Sequence, residues 1–211
     1  MKNILSEIEK TGIVPVVKLN DANKAIPLCN ALMNGGINVA EITFRTDCAA
    51  EVIKTISENC KDMIVGAGTI ININQAKQAI ESGAQFIVSP GFNKDIVLYC
   101  KEQNIPVLPG CITPSEIMQA IECGLKVVKF FPAKEFGGLQ TMKALSAPFP
   151  QIKFMPTGGV NLENLKDFIS AKFIFACGGT YMVKENLINE ENYNEITKLS
   201  KESIDIIKEV K

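Results

Sequence analysis

Residues 126–133 read KVVKFFPA, a short β-branched and aromatic run that ends near Pro132. Such a run reads as a strand buried on both faces, yet Lys129 stands in its middle, and lysine is almost never fully buried unless paired or used. Two chemistries suit it. One is a buried ion pair with a carboxylate, where desolvation offsets much of the attraction. The other is an amine nucleophile. Burial among Phe130 and Phe131, with Arg45 nearby, favours the neutral amine, which attacks a ketone to form a Schiff base. A carboxylate for either role lies in NVAEITFR. Alternation puts Val39, Glu41, Thr43 and Arg45 on one face and Ala40, Ile42 and Phe44 on the other. The purely apolar face belongs under a helix layer, so Glu41 and Arg45 are expected inside. Lys129, which shares a face with Val127 and Phe131, should meet Glu41 there. As a proton shuttle Glu41 has few rivals: the chain has no histidine, which removes the commonest general base, Ser-His and Cys-His nucleophile systems and the usual zinc ligand.

Other motifs suit recognition. GAGT (66–69) places Thr69 on the face of Val65 and Ala67. It could cap the next helix or hold a substrate carboxylate together with Arg45. Arg45 is the only arginine in the chain, and its planar fork grips a carboxylate bidentately. PTGGVN (156–161) and CGGT (177–180) each carry a glycine pair. Gly158, Gly159, Gly178 and Gly179 let backbone N–H groups approach an anion, with the Thr180 hydroxyl as a further donor; the alternative is a pair of tight turns. SPGF (89–92) and LPGC (108–111) are Pro-Gly turns, and Pro90 either walls a pocket or only ends a strand.

The elements that must hold these residues repeat one grammar. In NALMNGGINVAEITFR, QAIESGAQFIVSPG, YCKEQNIPVLPG and QAIECGLKVVKFFPA, an amphipathic helix ends at Gly or Asn and an apolar strand follows. New helices start at caps, with Asp21, Asn74, Asn93, Thr113 and Asn161 as candidates. Apolar runs give candidate strands at 13–19, 38–45, 63–70, 86–91, 106–112, 127–133, 153–159 and 173–180. Alternating strands and helices mean a parallel sheet. The count points to an α/β (β/α)8 TIM barrel of one domain over residues 1–211, with a short N-terminal helix in MKNILSEIEKTGI. An open doubly wound sheet is the alternative, but VVKLNDANKA after the first strand lacks its glycine-rich loop. In a barrel the site lies at the C-terminal strand ends, where EITFR, GAGT, KFFPA, PTGG and CGGT fall.

Composition narrows the classes. The chain is 46% hydrophobic and 21% charged with a net charge of -1, so neither nucleic acid nor an anionic membrane surface is an expected partner. No apolar run approaches the roughly 20 residues of a membrane span, and the charged N-terminus does not read as a secretory leader. The seven cysteines are scattered without a C-x-x-C pair, which suits buried free thiols in a reducing cytoplasm.

Together EITFRT, VGAGT, SPG, PGCITPSE, KFFPA, PTGG and CGGT, in this order from about residue 10 onward, resemble the KHG/KDPG (2-keto-3-deoxy-6-phosphogluconate) aldolase family. The resemblance implies a class I lyase of the Entner-Doudoroff pathway, free of metal and cofactor, on a (β/α)8 barrel, homotrimeric and cytoplasmic. It places the Schiff-base lysine on Lys129, the acid/base glutamate on Glu41 and the pyruvate-carboxylate contacts on Arg45 and Thr69. Pro90 and Phe131 are expected at the substrate, and Thr157 is tied to stereochemical choice. The phosphate contacts fall on Gly158, Gly159, Gly179 and Thr180. The implied substrate is 2-keto-3-deoxy-6-phosphogluconate, split to pyruvate and glyceraldehyde 3-phosphate, with 4-hydroxy-2-oxoglutarate open as a second substrate. One departure is GGTY where the family often reads GGSW; the hydroxyl is kept and tryptophan is lost. The alternatives are an aldolase for the galactonate epimer, a phosphate-binding barrel epimerase or synthase, which would need metal-binding histidines or a pyrophosphate-handling loop, and a non-catalytic barrel that binds sugar phosphates.

Overall fold

The chain's turns follow from residues that close helices cheaply. A computed structural model describes residues 3–211. Helix α1 (Ile4–Thr11) ends at Gly12, whose φ of 76° lets its N–H reach the Ile8 carbonyl. Strand β1 (Ile13–Val17) starts directly after it. The expected N-terminal helix is thus present from Ile4; Met1 and Lys2 lie outside the described residues. A 3-10 turn (Ala22–Lys24), capped by Asp21, leads into α2 (Ala25–Asn34). There follow β2 (Val39–Thr43), α3 (Ala49–Asn59), β3 (Ile64–Gly68), α4 (Ile73–Glu81), β4 (Ile87–Val88), α5 (Lys94–Glu102), β5 (Val107–Leu108) and α6 (Pro114–Glu122). The chain continues through β6 (Val127–Phe130), α7 (Gly138–Ser146), β7 (Lys153–Pro156), α8 (Leu162–Ser170) and β8 (Cys177–Gly179). A second 3-10 turn (Tyr181–Val183), α9 (Glu185–Asn189) and α10 (Tyr193–Lys208) complete it.

The strands pair in parallel, in the order β5-β4-β3-β2-β1-β8, with β6-β7 as a separate pair. Single bridges join the two sets, Gly110↔Lys129 on one side and Phe154↔Ile174 with Thr157↔Gly178 on the other. This is an α/β fold on parallel strands, consistent with a TIM-like barrel. Its strands read as largely apolar runs, interrupted at Glu41, Thr43 and Lys129, because both faces are covered, by the interior and by the helices.

Local expectations hold in part. Asn93, Thr113 and Asn161 cap α5, α6 and α8, and the last two complete capping boxes with Glu116 and Asn164. The cap of α4 is Asn72, not Asn74: Asn72 has the extended backbone a cap needs (φ -150°), and its side chain accepts from the Gln75 N–H. Strands β4 and β5 span two residues each, shorter than 86–91 and 106–112, because Pro90 and Pro109 have no N–H to donate to a ladder; past Pro109 the pairing continues as the single bridge Gly110↔Lys129. Strand β2 stops at Thr43, so Arg45 falls in the turn beyond it.

Helix α10 lies across α2 at a close approach that only glycine permits. A Cβ at Gly35 would stand 2.3 Å from Ser200 Cβ and 2.7 Å from the Thr197 carbonyl oxygen. Thr197 Oγ1 also donates to the Ala31 carbonyl at 2.9 Å. Gly35→Ala should therefore force the two helices apart and cost about 1–3 kcal/mol. Thermal denaturation should show a Tm lower by about 2–4 °C per kcal/mol; an unchanged Tm would mean that α10 shifts without cost.

Candidate active site

Lys129 and Glu41 meet, as alternation on β6 and β2 requires. Lys129 Nζ lies 3.6 Å from Glu41 Oε1. Both are buried, with relative exposures of 4% and 0%. Among the described residues neither carboxylate oxygen of Glu41 accepts a hydrogen bond, although a buried charged acceptor without a donor is costly. Orphaned buried polar groups of this kind cluster where function demands them. Phe131, on the same face as Lys129, lies with its ring centroid 5.1 Å from Nζ and is 38% exposed, so it borders the amine on the solvent side. Phe130 was expected to bury the lysine as well, but it points the other way and packs edge-on against Phe154 at 6.1 Å.

The carboxylate fits because β3 has no side chain beside it. A Cβ on Gly68 would stand 1.9 Å from Glu41 Oε1, and one on Gly66 would enter the Phe86 ring at 2.4 Å. Gly66 and Gly68 therefore share the face of Glu41. Val65 and Ala67 therefore lie on the opposite face, so the face expected for Thr69 from alternation is not the one toward Glu41. Thr69 also caps no helix. It turns out of the alternation with φ 58°, a conformation that is strained for a β-branched residue and concentrates at functional sites. It is half-buried immediately beyond Gly68.

Arg45 is exposed in the turn after β2 and not inside among the strands. Its Nε donates to Thr43 Oγ1 at 3.2 Å, while Thr43 donates to the Val17 carbonyl at 2.8 Å. Buried Thr43, which the sequence did not single out, thus orients the arginine from below. Pro90, half-buried after β4, presents its carbonyl to Gly110, where a Cβ would stand only 2.0 Å from that oxygen. Gly110 in turn is the bridge partner of Lys129, so Pro90 lies within one strand of the amine.

On the other side, β7 carries Thr157 beyond Met155, the register partner of Lys129. Thr157 is 4% exposed and its Oγ1 has no hydrogen-bond partner among the described residues. That oxygen lies 2.3 Å from where a Cβ on Gly178 would be. Gly178 therefore clears space for Thr157, a packing reason for glycine at this position of the pair. Gly158 and Gly159 follow in the left-handed region, with φ of 98° and 79°. Gly158, Gly159 and Thr180 donate none of their backbone N–H groups to other backbone groups among the described residues. Gly179 ends β8 and Thr180 follows it, exposed. A cavity of about 460 Å³ opens beside this loop, lined by Lys134, Gly158, Gly159 and Asn161 among others.

All seven cysteines are free thiols. Burial pushes those of Cys100, Cys111 and Cys177 up to about 12, so they remain protonated, inert core residues. Among the described residues no group of three or more Cys, Asp or Glu is placed to hold a metal ion. No helix there is long and apolar enough to cross a membrane.

The sequence matches the model of the KDPG and KHG aldolase family over residues 4–199. It is 42% identical over 207 residues to the 2-dehydro-3-deoxy-phosphogluconate aldolase of Treponema pallidum (strain Nichols), covering 98% of this chain and 99% of that one. Among solved structures, it is similar to the KDPG aldolase of Legionella pneumophila, captured at low pH with pyruvate as a covalent carbinolamine intermediate. The TM-score there is 0.91 at 34% identity, covering 95% of this chain and 98% of the other. It is also similar to the 2-keto-3-deoxy-6-phosphogluconate aldolase of Zymomonas mobilis ZM4 with 3-phosphoglycerate, at TM-score 0.90 and 34% identity, covering 96% and 95%.

A pair so buried and so poorly hydrogen-bonded should be retained at the expense of stability. Lys129→Met alone strands the carboxylate and should lower stability by about 3–5 kcal/mol, whereas Lys129→Met with Glu41→Leu should be neutral or stabilising by about 1–4 kcal/mol. Chemical denaturation of both variants checks this. A double variant less stable than the single one would make the pair a structural asset.

Proposed function

The chain belongs to the KDPG and KHG aldolase family, and from that premise we propose how its own residues carry the reaction. The protein is a lyase, a class I aldolase that cleaves 2-keto-3-deoxy-6-phosphogluconate to pyruvate and glyceraldehyde 3-phosphate. The observation that carries the residue assignment is the buried amine of Lys129 3.6 Å from a Glu41 carboxylate that accepts no hydrogen bond.

Lys129 Nζ attacks the C2 ketone of the substrate to give a carbinolamine. Glu41 delivers the proton that the pair holds to the carbinolamine hydroxyl, which leaves as water; this yields a protonated imine, an electron sink adjacent to C3, and an ionised Glu41. Glu41 takes the proton from the C4 hydroxyl. The C3–C4 bonding pair moves into the iminium, which becomes the enamine of pyruvate, and glyceraldehyde 3-phosphate departs. Glu41 returns its proton to C3, and water hydrolyses the imine to release pyruvate and regenerate the amine. Arg45 and Thr69 hold the substrate carboxylate at the rim, where a bidentate fork fixes C2 over the lysine. Phe131 and Pro90 flank the reacting carbons. The Thr157 hydroxyl, which lacks a partner among the described residues, bonds a sugar hydroxyl in this reading and so selects its configuration. The N–H groups of Gly158, Gly159 and Thr180, beside Gly179, bind the phosphate through backbone dipoles.

We read the scaffold as a closed (β/α)8 barrel formed by one domain, supported by the bridges on both flanks of β6-β7. The same reading takes no cofactor beyond the covalent lysine. It places the chain in the cytoplasm as a homotrimer, and Ile71, Ile73, Leu98 and Met118 are exposed apolar side chains that self-association could cover.

Lys129→Ala should abolish turnover of 2-keto-3-deoxy-6-phosphogluconate in a coupled assay for pyruvate. Glu41→Gln should lower kcat by about 10²–10⁴-fold, the range for loss of a general acid–base group, while still forming the imine. Wild-type turnover in folded Lys129→Ala would sink the assignment.

A further inference from the structure

The loop that carries Thr180 is tied to the rest of the protein through the residue after it. Tyr181 opens the 3-10 turn that follows β8. Its ring lies over Gly179, where a Cβ would stand 3.1 Å from Tyr181 Cε1, so the absence of a side chain there seats the ring on the strand end. Its hydroxyl lies 2.5 Å from Ser203 Oγ on α10. Ser203 is fully buried and gives its single proton to the Leu199 carbonyl at 2.7 Å. The hydrogen between the two oxygens therefore belongs to tyrosine. Burial pushes the Tyr181 phenol up to about 12, so it keeps that proton throughout the neutral range. At its far end the anchor is rigid, because α10 is seated on α2 at Gly35 and through Thr197. Thr180 itself is exposed, and its carbonyl accepts from the Val183 N–H of the same turn.

We propose that Tyr181 is a positioning residue for phosphate recognition: its hydroxyl, held on Ser203 of α10, fixes the turn that presents the Thr180 N–H and hydroxyl to the substrate's phosphate. This rests on the phosphate reading of Gly158, Gly159, Gly179 and Thr180 given above. Preorganised donors bind an anion without the cost of ordering the loop at each encounter. Tyr181 touches no reacting atom. Its effect belongs to the affinity for the phosphorylated end and not to bond cleavage.

The test compares Tyr181→Phe, Ser203→Ala and the double variant with the wild-type enzyme. Tyr181→Phe keeps the ring over Gly179 and removes only the hydroxyl. The expected result is a KM for 2-keto-3-deoxy-6-phosphogluconate raised by about two- to ten-fold, the worth of one neutral hydrogen bond. The kcat and the rate of borohydride trapping with pyruvate, which has no phosphate, should not change. Ser203→Ala should reproduce the change in KM, and the double variant should be no worse than either single one, since all three remove the same bond. A folded Tyr181→Phe enzyme with the wild-type KM would overturn the proposal. So would a variant in which kcat and pyruvate trapping fall together with affinity, which marks general damage to the fold. Thr180→Ala, measured alongside, separates the two levels. If it raises KM while Tyr181→Phe does not, only the anchor is wrong. If it leaves KM unchanged, the Thr180 hydroxyl is no phosphate donor and that half of the proposal falls, while the N–H, which Thr180→Ala keeps, is still tested by Tyr181→Phe.

Discussion

A lysine and a glutamate share the interior of this fold at a distance too long for a hydrogen bond and too short for independence. Taking both charges out of water is costly, and their attraction repays this only with good geometry and further hydrogen bonds. Glu41 has no such bonds. The surroundings of the pair are built to keep that arrangement. Gly68 leaves the volume that the Glu41 carboxylate occupies, Gly110 lets the chain after β4 close up beside Lys129, and Gly178 leaves room for Thr157. Each glycine stands where any side chain would displace a functional group or the backbone next to one.

The scaffold divides the labour by face and by height. Interior faces of β2 and β6 hold the Lys129–Glu41 pair proposed to react, and the turns beyond the strand ends hold the groups proposed for recognition. Arg45 and Thr69 follow β2 and β3 on one flank. Gly158, Gly159 and Thr180 follow β7 and β8 on the other. A substrate with a keto acid at one end and a phosphate at the other would therefore lie across the strand ends with its reacting carbons above Lys129. This follows from parallel strands, whose C-terminal ends all open on one side. The two flanks are held by different means. Thr43 orients Arg45 from within the sheet, whereas the β8 turn leans on α10 through Tyr181.

Much of this was legible in the sequence because the informative residues break a pattern. Glu41 and Lys129 are polar intrusions in apolar runs, and period-two alternation was enough to face them toward each other. The helix caps at Asn93, Thr113 and Asn161 were legible for a similar reason, since each stands at the hinge between two periodicities. The faces of β3 were not. In VGAGT both faces are small, so alternation carries no hydrophobic contrast, and only packing against Glu41 and Phe86 shows that the glycines point inward. Arg45 was extrapolated along a strand that ends two residues earlier. Asn72 and Asn74 are equivalent as residue types, and the backbone at Asn72 decides between them. The anchoring of Tyr181 on Ser203 spans 22 positions between the turn after β8 and α10, a separation at which no local pattern operates.

Borohydride reduction in the presence of pyruvate, followed by peptide mass spectrometry, tests the central claim most directly. A reduced pyruvyl adduct is expected on Lys129 alone, within the peptide that carries KFFPA. An adduct on another lysine would contradict the site built here while keeping the class of chemistry. No adduct on a folded protein would leave Lys129 as the partner in a buried ion pair and remove the mechanism.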